Sequence, residues 1–267
     1  MDIATILGII IAFGALYATI NIEGAHVEAL LLPGPMLLVL GATIGVGIAT
    51  GTFKDFLTAV KALPRAFKGV SGPKTNDVIA KIVGYAEMAR SQSLLALESA
   101  VAEEPDPFIA EALQNIADGT DADEIRITME DTIATTISGR RVAGKWFTTL
   151  GGYAPTIGIV GTVVSLTHVL ENLEQPETLG PLIAAAFVAT LWGLLSANFI
   201  WLPIGGRLTR LAEVEYERMN MITEGMLAVQ AGSPTHIVEE RMRALSGEPA
   251  PKSKSKDVAD EPVSESA

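Results

Sequence analysis

Apolar residues gather into four stretches free of Asp, Glu, Lys and Arg: Ile3 to Ile22, Ala29 to Phe53, Trp146 to Leu170 and Thr178 to Gly206. Crossing about 30 Å of hydrocarbon takes ~20 residues at about 1.5 Å each, so each stretch is read as a transmembrane helix. The first lacks a basic segment before it and an A-x-A pattern after it, and is therefore expected to persist as a helix rather than be removed as a secretory signal. Beyond the second, Phe53, Phe56, Leu57, Val60, Leu63 and Phe67 recur at three- and four-residue spacing, predicting an amphipathic helix interrupted near Pro64. Gly72-Pro73 breaks the chain, Asn76 or Asp77 caps a helix to about Val101, and Pro105 and Pro107 break it again. A short helix from Phe108 to Ala117 ends at Asp118-Gly119, and another from about Asp121 runs toward the membrane. After the fourth stretch, Leu208, Leu211, Tyr216, Met219, Ile222 and Met226 carry a helix to Gly232-Ser233-Pro234, followed by a short one from Thr235 to Leu245. Nothing alternates with period two. The predicted fold class is all-α: a polytopic membrane protein with four transmembrane helices and a helical cytoplasmic domain.

Charge orients these helices. Of the nineteen Lys and Arg, eleven lie between Lys54 and Lys145 and eight between Arg207 and Lys256, whereas Glu23 to Glu28 and Glu171 to Glu177 contain none. Positive charge stays inside, which places both termini and the middle segment in the cytoplasm. The expected organisation is a transmembrane hairpin over 1–52, a cytoplasmic helical domain over 53–145, a second hairpin over 146–206, cytoplasmic helices over 207–246 and a disordered tail over 247–267 rich in Pro, Ser and Lys.

Composition narrows the chemistry. The absence of Cys excludes disulfides, thiolate metal sites and a Cys nucleophile, and a count of three His argues against a His-rich metal centre. A formal charge of -12 argues against a nucleic-acid surface, which requires clustered Lys and Arg. No HExxH, GxSxG, P-loop or paired intramembrane carboxylate occurs, so no enzyme and no cofactor are expected. Asp121-x-Asp123-Glu124 lacks the glycine and final glutamate of a calcium loop and reads as the acidic start of a helix. Ionisable groups in a bilayer mark ion pathways, yet the four stretches offer only His168, near the outer end of the third, where an interfacial role is the simpler reading. If the protein moves ions, the titrating group must come from another chain.

The third and fourth stretches are nonetheless rich in small and hydroxylated residues. Gly151, Gly152, Ala154, Gly158, Gly161, Thr162, Ser165 and Thr167 occur in one, and Ala184 to Ala186, Ala189, Thr190, Gly193, Ser196 and Asn198 in the other. Such residues allow close helix approach, and their hydroxyls can face a partner or solvate an ion; helix packing and a lined path both fit. Gly41-x-x-x-Gly45 and Gly47-x-x-x-Gly51 in the second stretch are expected to serve helix packing alone.

In order along nearly the whole chain, the sequence resembles the MotA/PomA stator subunits of the bacterial flagellar motor. The resemblance rests on MDIATILGIIIAFGAL at the N-terminus, ARSQSLLALE from Ala89, ADG from Ala117, YAPTIGIVGTVVSL from Tyr153, LGPLIAAAFVATLWGLLSANFIWLPI from Leu179 and EGMLAVQAGSP from Glu224. It implies a homopentamer in the bacterial cytoplasmic membrane around a MotB/PomB-type, single-span, peptidoglycan-binding partner whose aspartate binds the moving ion, H+ or Na+. Flux through that path would produce torque on the rotor protein FliG. The family's coupling prolines match Pro155 and Pro203, for which a helix-start or helix-end proline is the plainer reading. Its rotor-contact charges match Arg90 and Glu98, eight residues apart on one predicted helix, although the family commonly has Gly at the position of Ser93. Ion selectivity is expected at Thr162, Ala189 and Thr190. Sodium-type subunits resemble this chain at Thr162 and usually carry paired threonines where it has Ala189-Thr190, and two hydroxyls favour Na+, which must exchange hydration for oxygen ligands. An ExbB/TolQ-like energiser of envelope transport, usually of three spans, is the alternative.

Overall fold

A computed structural model describes residues 3–24, 26–68 and 72–246. Among these there is no strand. The expected disordered tail from Gly247 lies outside them. The helices are α1 (Ile3–Ile22), α2 (Pro33–Met36), α3 (Ala42–Ala49), α4 (Phe53–Lys68), α5 (Thr75–Ser91), α6 (Leu97–Val101), α7 (Pro107–Ala117), α8 (Ala122–Glu171), α9 (Pro176–Ser196), α10 (Leu202–Gln230) and α11 (Thr235–Ser246). Wide π turns, Leu37–Gly41 and Ala197–Trp201, join α2 to α3 and α9 to α10 without a break. Three helical runs are long and apolar enough to cross a membrane, within Ile3–Ile22, Ala122–Glu171 and Pro176–Gln230, and Pro33–Ala49 is a shorter apolar run. At about 1.5 Å per residue that shorter run reaches ~25 Å, the lower limit for a span.

The chain forms two compact units. The first, residues 1–74 and 126–219, contains all four apolar runs. Its buried core at one end joins α4, α8 and α10 through Ala59, Ala66, Ala143, Phe147, Leu150 and Leu208. Aromatic rings line up here: Phe56 lies 5.5 Å from Trp146, Trp146 meets Phe147 edge-on at 5.1 Å, and Phe147 stacks on Trp201 at 6.4 Å. The Trp146 indole N–H donates to the Gly47 carbonyl at 3.0 Å, tying α8 to the second span. Of the second-span glycines, Gly47 alone is pressed against a neighbouring helix, at Leu150; Gly41 and Gly45 face open space and Gly51 meets only Asp55. The expectation that both GxxxG pairs serve packing therefore holds for one glycine of four.

α4 is a single helix and passes through Pro64, contrary to the interruption expected there. Pro64 is exposed, so the carbonyl it leaves unpaired can be hydrated. The helix start is also well fastened. The Thr52 N–H donates to Asp55 at 2.9 Å and the Asp55 N–H donates to the Thr52 hydroxyl at 3.2 Å, a reciprocal capping box. These bonds hold the Asp55 carboxyl below its ordinary range.

Among the described residues the second unit comprises 75–125 and 220–246. α5 packs against α11, Val78, Ile79 and Ile82 of the one and Val238 and Met242 of the other are buried, and a Cβ at Gly225 would lie 2.6 Å from the Met242 sulfur. Here the helix expected to run to about Val101 stops at Ser91. Ser93 has φ 143° and ψ 167°, a region open almost only to glycine. The strained turn leads through Leu94–Ala96 into α6, which buries Leu97 and Ala100. A glycine at this position would meet that backbone demand freely, and Ser93 meets it under strain. We expect Ser93→Gly to stabilise the folded chain by about 1 kcal/mol or more, read as a raised Tm.

The turn before α7 is organised by Glu104, whose carboxylate is buried. It accepts from Lys81 Nζ at 3.0 Å, from the Asp106 N–H at 2.9 Å and from the Tyr85 hydroxyl, while Asp106 caps α7 through the Phe108 N–H. Burial opposes the charge of Glu104, but the bonds from Tyr85, Asp106 and Lys81 outweigh it and hold its carboxyl below the ordinary range. Burial and the same carboxylate push the Tyr85 hydroxyl upward. A carboxyl with a lowered folded pKa contributes stability that is present above its unfolded pKa, about 4.3, and is lost as pH falls through the lower folded value. Thermal melts of the wild type should therefore fall on acidification through and below that range. Glu104→Gln should start lower at neutral pH, by about 1–3 kcal/mol, and lack this part of the pH dependence.

Candidate functional site: the seam between the third and fourth spans

Small residues let α8 and the α9–α10 rod approach until their backbones touch. The contact runs antiparallel along both helices. A Cβ at Gly205 would lie 2.8 Å from the Thr148 backbone nitrogen, and one at Gly144 would lie 3.1 Å from that of Thr209. Further along, a Cβ at Gly193 would lie 2.9 Å from the Ala154 carbonyl oxygen and 3.0 Å from the Gly158 Cα. A Cβ at Gly161 would be 2.8 Å from that of Ala189. Ala154 and Ala189 are fully buried.

Thr162 closes the seam beyond Gly158. Its hydroxyl lies 3.1 Å from the Gly158 carbonyl of its own helix, 3.1 Å from the Ala186 carbonyl across the seam, and in hydrogen-bond contact with the Thr190 hydroxyl. One hydroxyl has one proton to donate, so Thr162 can accept from Thr190 while donating to a carbonyl. The structure thus brings Thr162, Ala189 and Thr190 together at one level of the seam. Both hydroxyls are half-buried.

Pro155 and Pro203 occupy different places from the helix ends that elementary propensity favours. Pro155 stands inside the 50-residue α8. Pro203 follows the Ala197–Trp201 π turn, closed by the Leu202 N–H on the Ala197 carbonyl, and the helix continues to Gln230. Each removes a backbone donor, leaving the carbonyls of Gly151 and Phe199 without their usual helical partner. Gly151 is pressed against Leu202, the residue before Pro203: a Cβ there would lie 2.5 Å from the Leu202 side chain. The two weak points in the helices share one level of the seam. The sequence showed the prolines and small residues but not which of them meet, because facing residues come from opposite ends of a long antiparallel pair.

On its other side, α8 exposes Ile159, Val160, Val163 and Val164, and α9 exposes Phe187 and Leu194. No Asp, Glu, Lys or Arg lies along the seam between Trp146 and Leu170 or between Thr178 and Gly206. His168 sits exposed in the last turn of α8 with Glu171 3.3 Å away. Among the described residues no group of three His, Asp or Glu could hold a metal ion.

Arg90 and Glu98 are not on one helix, as their spacing suggested. Arg90 lies in the last turn of α5 and Glu98 in the first turn of α6, with the strained Ser93 turn between them. Both are exposed.

Comparison with known proteins fits this architecture. Residues 100–221 match the model of the MotA/TolQ/ExbB proton channel family, and residues 6–93 match that of the Motility protein A N-terminal region. The chain is 31% identical to chemotaxis protein PomA of Vibrio alginolyticus over 91% of its own length and 94% of that protein's. It is 29% identical to Motility protein A of Bacillus subtilis (strain 168), over 91% and 90% of the two chains. Among solved structures, a chain of C. jejuni MotAB superposes with TM-score 0.87 at 27% identity, covering 92% of this chain and 96% of that one. A chain of the flagellar MotAB stator complex from Bacillus subtilis gives 0.83 at 29%, covering 88% and 92%.

Proposed function

The chain belongs to the MotA/TolQ/ExbB proton channel family and is a membrane-spanning stator subunit of the bacterial flagellar motor, and from that premise we propose how its own residues take part in converting cation flux to torque. The N-terminal motility match over residues 6–93 favours this reading over an ExbB/TolQ-like energiser. The observation that carries the mechanism is the seam: two spans locked together along their backbones, without a carboxylate, and each weakened by a proline near one level.

The ion-binding carboxylate comes from a MotB-type single-span partner, which packs against the exposed apolar side of α8. A cation reaching that carboxylate passes along spans three and four at the level of Thr162, Ala189 and Thr190. The threonine hydroxyls offer Na+ oxygen ligands in place of hydration, which a proton does not need. Neutralising and recharging the partner's carboxylate changes what the seam faces, and the helices answer at Pro155 and Pro203, where a backbone hydrogen bond is already missing. The motion reaches Arg90 and Glu98, which present opposite charges to the rotor protein FliG. Five copies surround the partner in the cytoplasmic membrane with both termini inside.

The test is swimming speed of cells that rely on this subunit and its cognate partner, first as sodium is replaced by potassium at constant pH, then as the proton gradient is collapsed with sodium kept. The expected result is speed that follows sodium. Speed that follows the proton gradient alone would return Thr162 to helix packing. Ion flux through assemblies of this chain without a MotB-type partner would overturn the mechanism.

A further inference from the structure

Where the first unit's core ends, α4, α8 and α10 leave a cavity of about 570 Å³ between them. Its lining is of two kinds. Ala62, Ala143 and Leu211 make an apolar floor, while Lys61 and Arg65, one turn apart on α4, and Arg140 of α8 bring positive charge. The single acid of the lining, Glu215, is already engaged, 3.1 Å from Arg140 and 3.7 Å from Arg218. No residue described pairs with Lys61 or Arg65. Two exposed cations therefore border a partly apolar cavity with no carboxylate partner among the described residues.

The setting says what answers them. α4 buries Ala59 and Ala66, but a second side of it exposes Phe53, Leu57, Val60 and Phe67, and these border the basic side. A helix with adjoining apolar and basic sides, directly after a membrane span, lies in the bilayer surface with its apolar residues among acyl chains and its bases at headgroup depth. A cavity opening beside it meets phosphate groups and lipid tails together. Basic pockets between helices at that depth suit anionic headgroups.

We propose that the α4–α8–α10 cavity binds an anionic phospholipid, its phosphate held by Lys61 and Arg65 and its chains against Ala62 and Leu211. Such a lipid fastens the interfacial helix to the two long helices of the seam, a role outside the ion path and the rotor contact.

The test is native mass spectrometry of the intact complex with its single-span partner, released from micelles doped with dioleoyl phosphatidylglycerol or dioleoyl phosphatidylcholine. The wild type should retain phosphatidylglycerol in preference to phosphatidylcholine, and inorganic phosphate should not displace it. K61Q/R65Q should lower phosphatidylglycerol retention about tenfold or more, since each base near a membrane surface changes affinity about fivefold. K61R/R65K should keep it, and K54Q/K68Q, on the same helix but outside the cavity, should leave it unchanged. If K61Q/R65Q does not assemble, Leu211→Trp, which fills the apolar floor from α10, should give the same loss. Equal retention of both lipids, displacement by inorganic phosphate, or unchanged retention in both K61Q/R65Q and Leu211→Trp would overturn the proposal.

Discussion

Pro155→Ala should abolish swimming while leaving the assembled complex intact. The substitution gives α8 back the N–H that can reach the Gly151 carbonyl, removes the ring that crowds it, and introduces the best helix former. α8 should become straighter and stiffer where it packs on Leu202, so thermal stability should hold or rise by about 1 kcal/mol. Loss of torque together with an unchanged or higher Tm separates a motion that the proline permits from a fold that it supports. Tethered-cell rotation and thermal melts of the purified complex supply the two readings, and its size-exclusion profile reports assembly. Rotation at wild-type speed in the variant would remove Pro155 from the coupling mechanism.

The second large effect is expected at the glycines of the seam. Gly193→Val places a Cβ 2.9 Å from the Ala154 carbonyl oxygen and 3.0 Å from the Gly158 Cα, both backbone atoms that no rotamer change can move aside. The helices must separate, which costs about 3 kcal/mol or more in overpacking and breaks the Thr162 to Thr190 contact. Little assembled complex should survive extraction in detergent. Gly152→Ala is the matching control: it lies in α8 on an exposed side, meets nothing within 4 Å, and should assemble as the wild type does. Equal yields for Gly193→Val and the wild type would show that the close approach is dispensable.

Much of the architecture could be read before any coordinates. Spans are legible because a bilayer rejects charge over a fixed thickness, and this constraint acts residue by residue. Short surface features were harder. Pro64 looked like a break, but one exposed proline costs a single backbone bond that water replaces, and the burial of Ala59 and Ala66 together with the Thr52–Asp55 box carries α4 past it. Ser93 gave a weak signal in the opposite direction. Serine does not announce a glycine-like backbone, and the break between Arg90 and Glu98 follows from burying Leu97 and Ala100. Glu104 was missed as a structural centre because its partners, Lys81, Tyr85 and the Asp106 N–H, converge only when α5 and the α7 turn are folded together.

The sequence by itself determined the all-helical class, the apolar spans, the lack of a membrane carboxylate and the family, since each depends on which residues occur and how they are spaced along one chain. Tertiary structure alone decided which glycines touch, that Thr162 and Thr190 share a hydrogen bond, and that Gly151 beneath Pro155 meets Leu202 beside Pro203. These are contacts between residues tens of positions apart. Their geometry depends on the register of two packed helices, and a shift of one turn would leave the composition and periodicity of either helix unchanged while replacing every pair in the seam.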